Sequence, residues 1–304
     1  MDEFTFASTD GVEVFARRWV PSGQPRAAIV VVHGAAEHSG RYTRVAEVLR
    51  GEGYAVYALD LRGHGRSAGS TERGRIGPGG MAGVLSDVGA LVRRARSEAG
   101  DVPVILFGHS MGSVVVQAFM VGAPEDVSAY VLSGTMGPAE GTEEFVAGMR
   151  AAVEAGMADE PLDAIAGYNA SDEPTRTRYD WLSRDEDEVD KYIADPLCGD
   201  DNPLTYGYVA VLLETIADVM EPDAIARIPK GMPVLLLTGD RDPVSENGAQ
   251  VRQLERRLRD AGLDVTARYY VGARHEVLNE TNRDEVHRDL VEWLDRVSAR
   301  GALT

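Results

Sequence analysis

The chain is poor in cysteine, in positive charge and in long apolar runs, and each shortage closes off a class of function. One cysteine, Cys198, stands among 304 residues, so no internal disulfide can form and a cytoplasmic setting is expected. Lys and Arg number 31 against 49 Asp and Glu, a formal net charge of −18. A field of that sign repels phosphate backbones and anionic lipid surfaces, which argues against nucleic acid as a partner. No apolar run approaches the roughly 20 residues that span a bilayer, so no transmembrane segment is expected. The start, MDEFTFASTDG, is acidic where a secretory leader is basic, and no apolar stretch follows it. The shortage of base is uneven: residues 136–200 hold 17 Asp and Glu against 5 Lys and Arg.

What the chain does have is alternation. EFTFAS and VEVFARRWV alternate about Thr9-Asp10-Gly11 and read as a β-hairpin. AAIVVV (27–32), AVYALD (55–60), VPVILF (102–107) and AYVLSG (129–134) are continuous apolar runs, the mark of strands buried on both faces. Helical spacing separates them, and the pattern resumes at MPVLLLTGD (232–240), with a helix over about 247–262, a strand VTARYYV (265–271) and a closing helix over about 282–299. In that last helix Val286, Leu290, Trp293, Leu294 and Val297 share one face, and His287 falls on the side expected to meet solvent. Such alternation predicts an α/β fold with a mostly parallel sheet covered on both sides. Residues 1–135 and 232–304 read as one core and 136–231 as an insertion. Within the insertion Val209, Leu212, Leu213, Ile216, Val219 and Met220 form a helical stripe, expected to pack on the core.

The chemistry begins at GHSMG, residues 108–112. Glycines two places before and after Ser110, between a strand and a helix, match the nucleophile elbow G-x-S-x-G. A nucleophilic serine needs a base, and the base needs an orienting acid. Of six histidines, His33, His38, His64 and His109 follow early strands or sit in the elbow and His287 lies on the solvent side of the last helix, which leaves His275 after the final strand. Chain order Ser, acid, His then places the acid after the penultimate strand, in LLLTGDRDP, where Asp240 and Asp242 both qualify. Two N–H groups are expected to form an oxyanion hole, Met111 after the serine and Ala35 after His33-Gly34. His33, Glu37 and His38 are metal-ligand types, but their H-x-x-x-E-H spacing on a loop misses the zinc patterns, and no metal or cofactor is expected. RGHGRSAG lacks the Walker and dinucleotide spacings and reads as a glycine-dependent turn beside the site.

HGAAEHSGRY, DLRGHGRSAG, GHSMGS, GDRDPVS and HEVLNE together resemble the monoacylglycerol lipase and lysophospholipase branch of the α/β-hydrolases. The resemblance implies an eight-stranded core with a helical cap between strands six and seven. It also implies Asp242 as the acid, Ser110 as nucleophile, His275 as base and acid, and Ala35 and Met111 as oxyanion donors. Glu37 and Arg41 match positions near the glycerol end of the substrate. The expected activity is a serine hydrolase cleaving a small lipid-like ester such as a monoacylglycerol. The same triad also serves acyl transfer and the cleavage of thioesters or activated C–C bonds, and a silent binding protein would show a damaged triad, which this chain does not. The chain departs from the branch at Ala36, where the family has glycine. Its cap stretch DWLSRDEDEVDKYIADPLCG is closer to bacterial members.

Overall fold

Five apolar runs, one mixed strand and one hairpin build a single sheet. In this computed structural model the chain is described from residue 1 to 301 except 69–72, 138, 140 and 170–173. Gly69, at the end of the RGHGRSAG turn, and parts of 136–231 thus lie outside the described residues. β1 (Asp2–Ala7) and β2 (Glu13–Trp19) pair antiparallel, as the alternating hairpin pattern predicts. β3 (Ala28–Val32), β4 (Ala55–Leu59), β5 (Val104–His109), β6 (Ala129–Ser133), β7 (Pro233–Gly239) and β8 (Asp264–Tyr270) run parallel to one another. The order is β1-β2-β4-β3-β5-β6-β7-β8, with β2 antiparallel to β4. β3, β4, β5 and β6 are buried along their whole length, which is why their sequences are continuously apolar.

Helices cover both faces. α1 (Thr43–Gly51) lies on one side, α2 (Gly80–Ala99) and α3 (Met111–Gly122) on the other. Between β6 and β7 the chain forms α4 (Thr142–Ala152), which runs into a π turn at Val153–Met157, then α5 (Glu186–Ala194), α6 (Tyr206–Val219) and the single turn α7 (Pro222–Ile225). α8 (Ala249–Asp260) joins the α2–α3 face and α9 (Arg283–Gly301) the α1 face. The stripe on α6 packs against α2 and α3 in the main core cluster, as expected from its spacing. The α9 stripe is likewise buried. No described helix is long and apolar enough to cross a membrane.

One placement differs from expectation. His287 is buried, 6% exposed. The turn Val277–Asn279 packs against α9, and the Leu278 backbone hydrogen-bonds the imidazole. Helical periodicity sees only the face turned to the sheet. It is blind to a preceding loop folding back over the opposite side.

Candidate active site

Parallel strands deliver their carboxyl ends to one edge, and there the loops gather. Ser110 follows β5, Asp242 follows β7, His275 follows β8 and Ala35 follows β3. Ser110 sits at φ 52°, ψ −122°, a conformation L-residues rarely adopt, between strand and helix. The strain is held from several sides. Ser110 N–H donates to the Ser133 carbonyl at 2.9 Å, and Ser110 O accepts from Ser113 N–H at 2.8 Å and Ser113 Oγ at 2.6 Å. Both elbow glycines are sterically required. A Cβ on Gly108 would lie 2.5 Å from the Gly112 carbonyl oxygen, and one on Gly112 would lie 2.2 Å from that of Val32. The start of α3 is thus pressed into backbone contact with β5 at Gly108 and with the end of β3 at Gly112.

His275 Nδ1 lies 2.9 Å from Asp242 Oδ1, and both side chains are buried. A carboxylate can only accept, so Nδ1 carries the proton and Nε2 is left as the basic nitrogen. Nε2 has no hydrogen-bond partner among the described residues. Burial disfavours the imidazolium, but the charge and hydrogen bond of Asp242 outweigh it, and the His275 pKa is raised above its ordinary value. Asp240 does something else: its Oδ1 accepts from Gly272 N–H at 2.7 Å and braces the β8 loop. Asp242 also caps the next turn, with Oδ1 accepting from Val244 N–H at 3.0 Å.

The loop after β3 is held just as firmly. Leu61 N–H donates to His33 Nε2 at 2.8 Å, so His33 is neutral with its proton on Nδ1, which donates to the Gly34 carbonyl at 2.7 Å. Burial pushes the His33 pKa down, consistent with that neutral ring. Glu37 Oε1 accepts from Gly34 N–H at 2.5 Å and from Tyr42 Oη at 2.8 Å. Burial alone would raise its pKa; the Arg41 guanidinium more than offsets this and keeps the carboxylate charged. Ala36 sits at φ 51°, in the left-handed region that favours glycine, and its carbonyl accepts from Gly199 N–H and Tyr192 Oη. Among the described residues neither the Ala35 nor the Met111 N–H has an acceptor, so both remain available to an oxyanion.

A cavity of about 330 Å³ opens over Ser110. Core residues Ala35, Glu37, His109, Ser110 and His275 line its floor, and the β6–β7 segment supplies Leu162, Ile165, Trp181, Leu182 and Leu204. Glu37 therefore reaches the cavity. Arg41 does not line it; its guanidinium is committed to Glu37 at 2.8 Å, to Glu276 at 2.5 and 2.8 Å, and to the face of Tyr192. His33, Glu37 and His38 do not converge as a ligand set. His38 Nε2 donates to Asp195 Oδ2 at 3.0 Å while Nδ1 accepts from Gly40 N–H. Asp195 and Cys198 lie within 4.8 Å of it, but a metal on Nε2 would put the remaining proton on Nδ1, against the Gly40 donor.

Three functional neighbours escaped sequence reasoning. Trp181 lays its ring over His275, centroids 5.1 Å apart, and its carbonyl accepts the His275 N–H. Glu276 clamps Arg41. Gly134, at φ 53°, leaves the room in which the His109 and His275 rings meet: a Cβ there would stand 3.0 Å from each. The glycine ending β6 and the acid inside HEVLNE were visible signals; nothing in the sequence marked Trp181.

Similarity to known proteins agrees with this geometry. Residues 23–282 match the family model Hydrolase_4, described as "Serine aminopeptidase, S33". The chain is 33% identical to a monoacylglycerol lipase of Mycolicibacterium smegmatis over 96% of each chain. It is 30% identical to the Mus musculus monoglyceride lipase, covering 97% of this chain and 91% of that one. Among solved structures, a thermostable carboxyl esterase from Bacillus coagulans superposes with a TM-score of 0.91 at 26% identity, over 98% of both chains. The chain thus belongs to the Hydrolase_4 (serine aminopeptidase, S33) family of α/β-hydrolases, in its monoacylglycerol lipase and lysophospholipase-like branch.

Proposed function

We propose that this chain, a carboxylic ester hydrolase, cleaves monoacylglycerols and similar small neutral lipid esters through an acyl-enzyme on Ser110. The substrate carbonyl carbon meets Ser110 Oγ, whose proton passes to His275 Nε2 as the C–O bond forms. Asp242 holds the imidazole in the required tautomer and stabilises the imidazolium. The carbonyl oxygen, now negative, takes the Ala35 and Met111 N–H groups. Collapse expels the alcohol, which receives the proton from His275. Water then repeats the sequence and releases the acid, returning the proton to the serine. Leu162, Ile165, Trp181, Leu182 and Leu204 offer the acyl chain an apolar wall. Glu37 is the acceptor nearest the head group, and Arg41 holds Glu37 in place. In this reading residues 136–231 act as the cap, and the buried free thiol of Cys198 suits a cytoplasmic setting.

The observation that supports the reading most is the meeting, on one cavity, of a strained serine, an imidazole with a free Nε2 and the unpaired Ala35 N–H. Glycerol esters of fatty acids, lysophospholipids and aryl esters compared on wild type and Ser110→Ala test it. Monoacylglycerols and neutral aryl esters should be cleaved by the wild type alone. Turnover by Ser110→Ala at the wild-type rate would contradict the reading.

A further inference from the structure

Among the described residues a single cation, Arg178, stands at the lip of the cavity. We infer that Arg178 sets which acyl lengths the enzyme accepts, by latching residues 161–168 over the cavity through ion pairs to Asp163 and Asp200. The inference rests on the ester-hydrolase reading above and names a specificity-determining residue for it.

Arg178 Nη2 lies 2.7 Å from Asp163 Oδ1, and Nη1 lies 3.1 Å from Asp200 Oδ1. All three residues line the cavity, yet their side chains are 46%, 56% and 60% exposed. Groups that face both the cavity and solvent mark its mouth. They come from three separate segments of the chain, and Tyr179 Oη adds a 2.7 Å bond to the same Asp200 oxygen. Behind Asp163 the loop carries Ala164 and Ile165 into the cavity. Leu162, at its start, is fixed by its N–H to the Leu204 carbonyl, and Tyr168, at its end, packs on Trp181. Between them, the pair to Arg178 is the one hydrogen bond or ion pair that ties residues 163–167 to another segment among the described residues.

That makes the lip a hinged apolar flap with one polar catch. Exposed ion pairs are individually weak and fade with salt, so the catch opens easily. A short ester fits beneath the closed flap. A long acyl chain must displace Ala164 and Ile165, and so needs the catch released. Arg178 is poorly suited to seizing an anionic head group instead, because two carboxylates already occupy its guanidinium.

The test compares kcat/KM for p-nitrophenyl laurate and p-nitrophenyl butyrate, both neutral, on the full chain at low and high salt (~0.02 and ~0.5 M). The laurate-to-butyrate ratio should rise about 3–10-fold in Arg178→Ala at low salt, the scale set by losing one or two exposed pairs. Asp163→Asn, which alters the shape of the lip very little, should move the ratio the same way by a smaller factor. Salt should raise the wild-type ratio toward that of Arg178→Ala, while any effect of salt on the substrates themselves appears equally in the variant. An unchanged ratio in Asp163→Asn and Arg178→Ala, with butyrate still cleaved, would overturn the latch and leave the esterase reading standing. Failure of the wild type to cleave either ester would overturn both.

Discussion

The two sides of the cavity are built on opposite principles. The floor, supplied by the sheet, is fixed by backbone contact and buried polar pairs: Asp242 is wholly enclosed and His275 is 1% exposed. The roof, supplied by the β6–β7 segment, sets a small buried cluster of Tyr179, Trp181, Leu182 and Tyr192 among irregular turns and half-exposed ion pairs. Away from the cavity the same segment is looser: none of the α4 residues is buried, and the helix ends in a π turn whose Gly156 has φ 90°. The difference follows from what each side must do. Proton transfer and oxyanion stabilisation need donors and acceptors held to a fraction of an ångström. Admission of a substrate needs a surface that yields. The roof is nonetheless anchored to the floor at the base itself, because the His275 and Glu276 N–H groups donate to the Trp181 and Leu182 carbonyls.

The floor should be far less tolerant of change than the roof, beginning with Asp242→Asn. Losing the carboxylate removes both the tautomer control and the imidazolium partner, and kcat should fall by about 10⁴. Asp240→Asn should leave kcat within a few-fold, because that side chain braces Gly272 and does not touch His275. Steady-state kinetics on the pair distinguishes them, and the reverse order would show that the wrong aspartate has been assigned.

Gly112→Ala attacks the floor sterically. The new methyl meets two carbonyl oxygens at 2.2 and 2.4 Å, and the strand and helix must separate. A loss of at least ~2 kcal/mol is expected, read as a lower melting temperature or insoluble protein. A stable, fully active variant would contradict the close packing at the elbow.

The pH dependence should report the same floor. As the proposed base, His275 would work only when neutral, and its raised pKa means that this form is lost, as pH falls, at a higher pH than for an ordinary imidazole. The acid limb of kcat/KM should therefore lie above pH ~6.5. His109 does not complicate the limb. Burial and the neighbouring His275 push its pKa down to about 4, so it stays neutral across the range. A pH–rate profile flat down to pH ~5 would rule out His275 as the base.

The smallest effects belong to the roof and to the loop it meets. With 17 acids against 5 bases in residues 136–200, neutral monoacylglycerols should be cleaved faster than anionic lysophospholipids of equal acyl length. The gap should narrow as salt screens the field over about 10 Å at 0.1 M. A low-salt preference for the anionic lipid would remove the electrostatic argument. Ala36→Gly relieves a left-handed alanine, and thermal melting should show a gain of no more than ~1 kcal/mol with activity retained.

The same contrast decides what could be read from the sequence. The floor was legible because its signals are local: apolar runs long enough to be buried strands, a glycine on each side of a serine, a histidine after the last strand. Element ends shifted where the elbow blurs strand into helix. β5 runs on to His109, past the apolar run VPVILF, and α3 begins at Met111, inside GHSMG. Asp240 and Asp242 are equivalent by spacing; the family resemblance pointed to Asp242, and in the folded loop Asp240 meets Gly272 while Asp242 meets His275. The roof was legible as a stretch between two strands but not as a surface. Asp163, Arg178 and Asp200 lie far apart in a stretch without periodicity, and Trp181 carries no pattern that announces a neighbour of His275. Arg41 shows the limit from the other side. Its position pointed to the substrate, yet its guanidinium is spent on Glu37 and Glu276.

The central claim is that Ser110 is the nucleophile activated by His275, and covalent labelling reaches it most directly. The native protein is treated with a fluorophosphonate, its intact mass recorded, and the modified peptide located. One adduct per chain on Ser110 is predicted, absent in Ser110→Ala and formed orders of magnitude more slowly in His275→Ala. An adduct on another residue, or labelling that persists in Ser110→Ala, would contradict it.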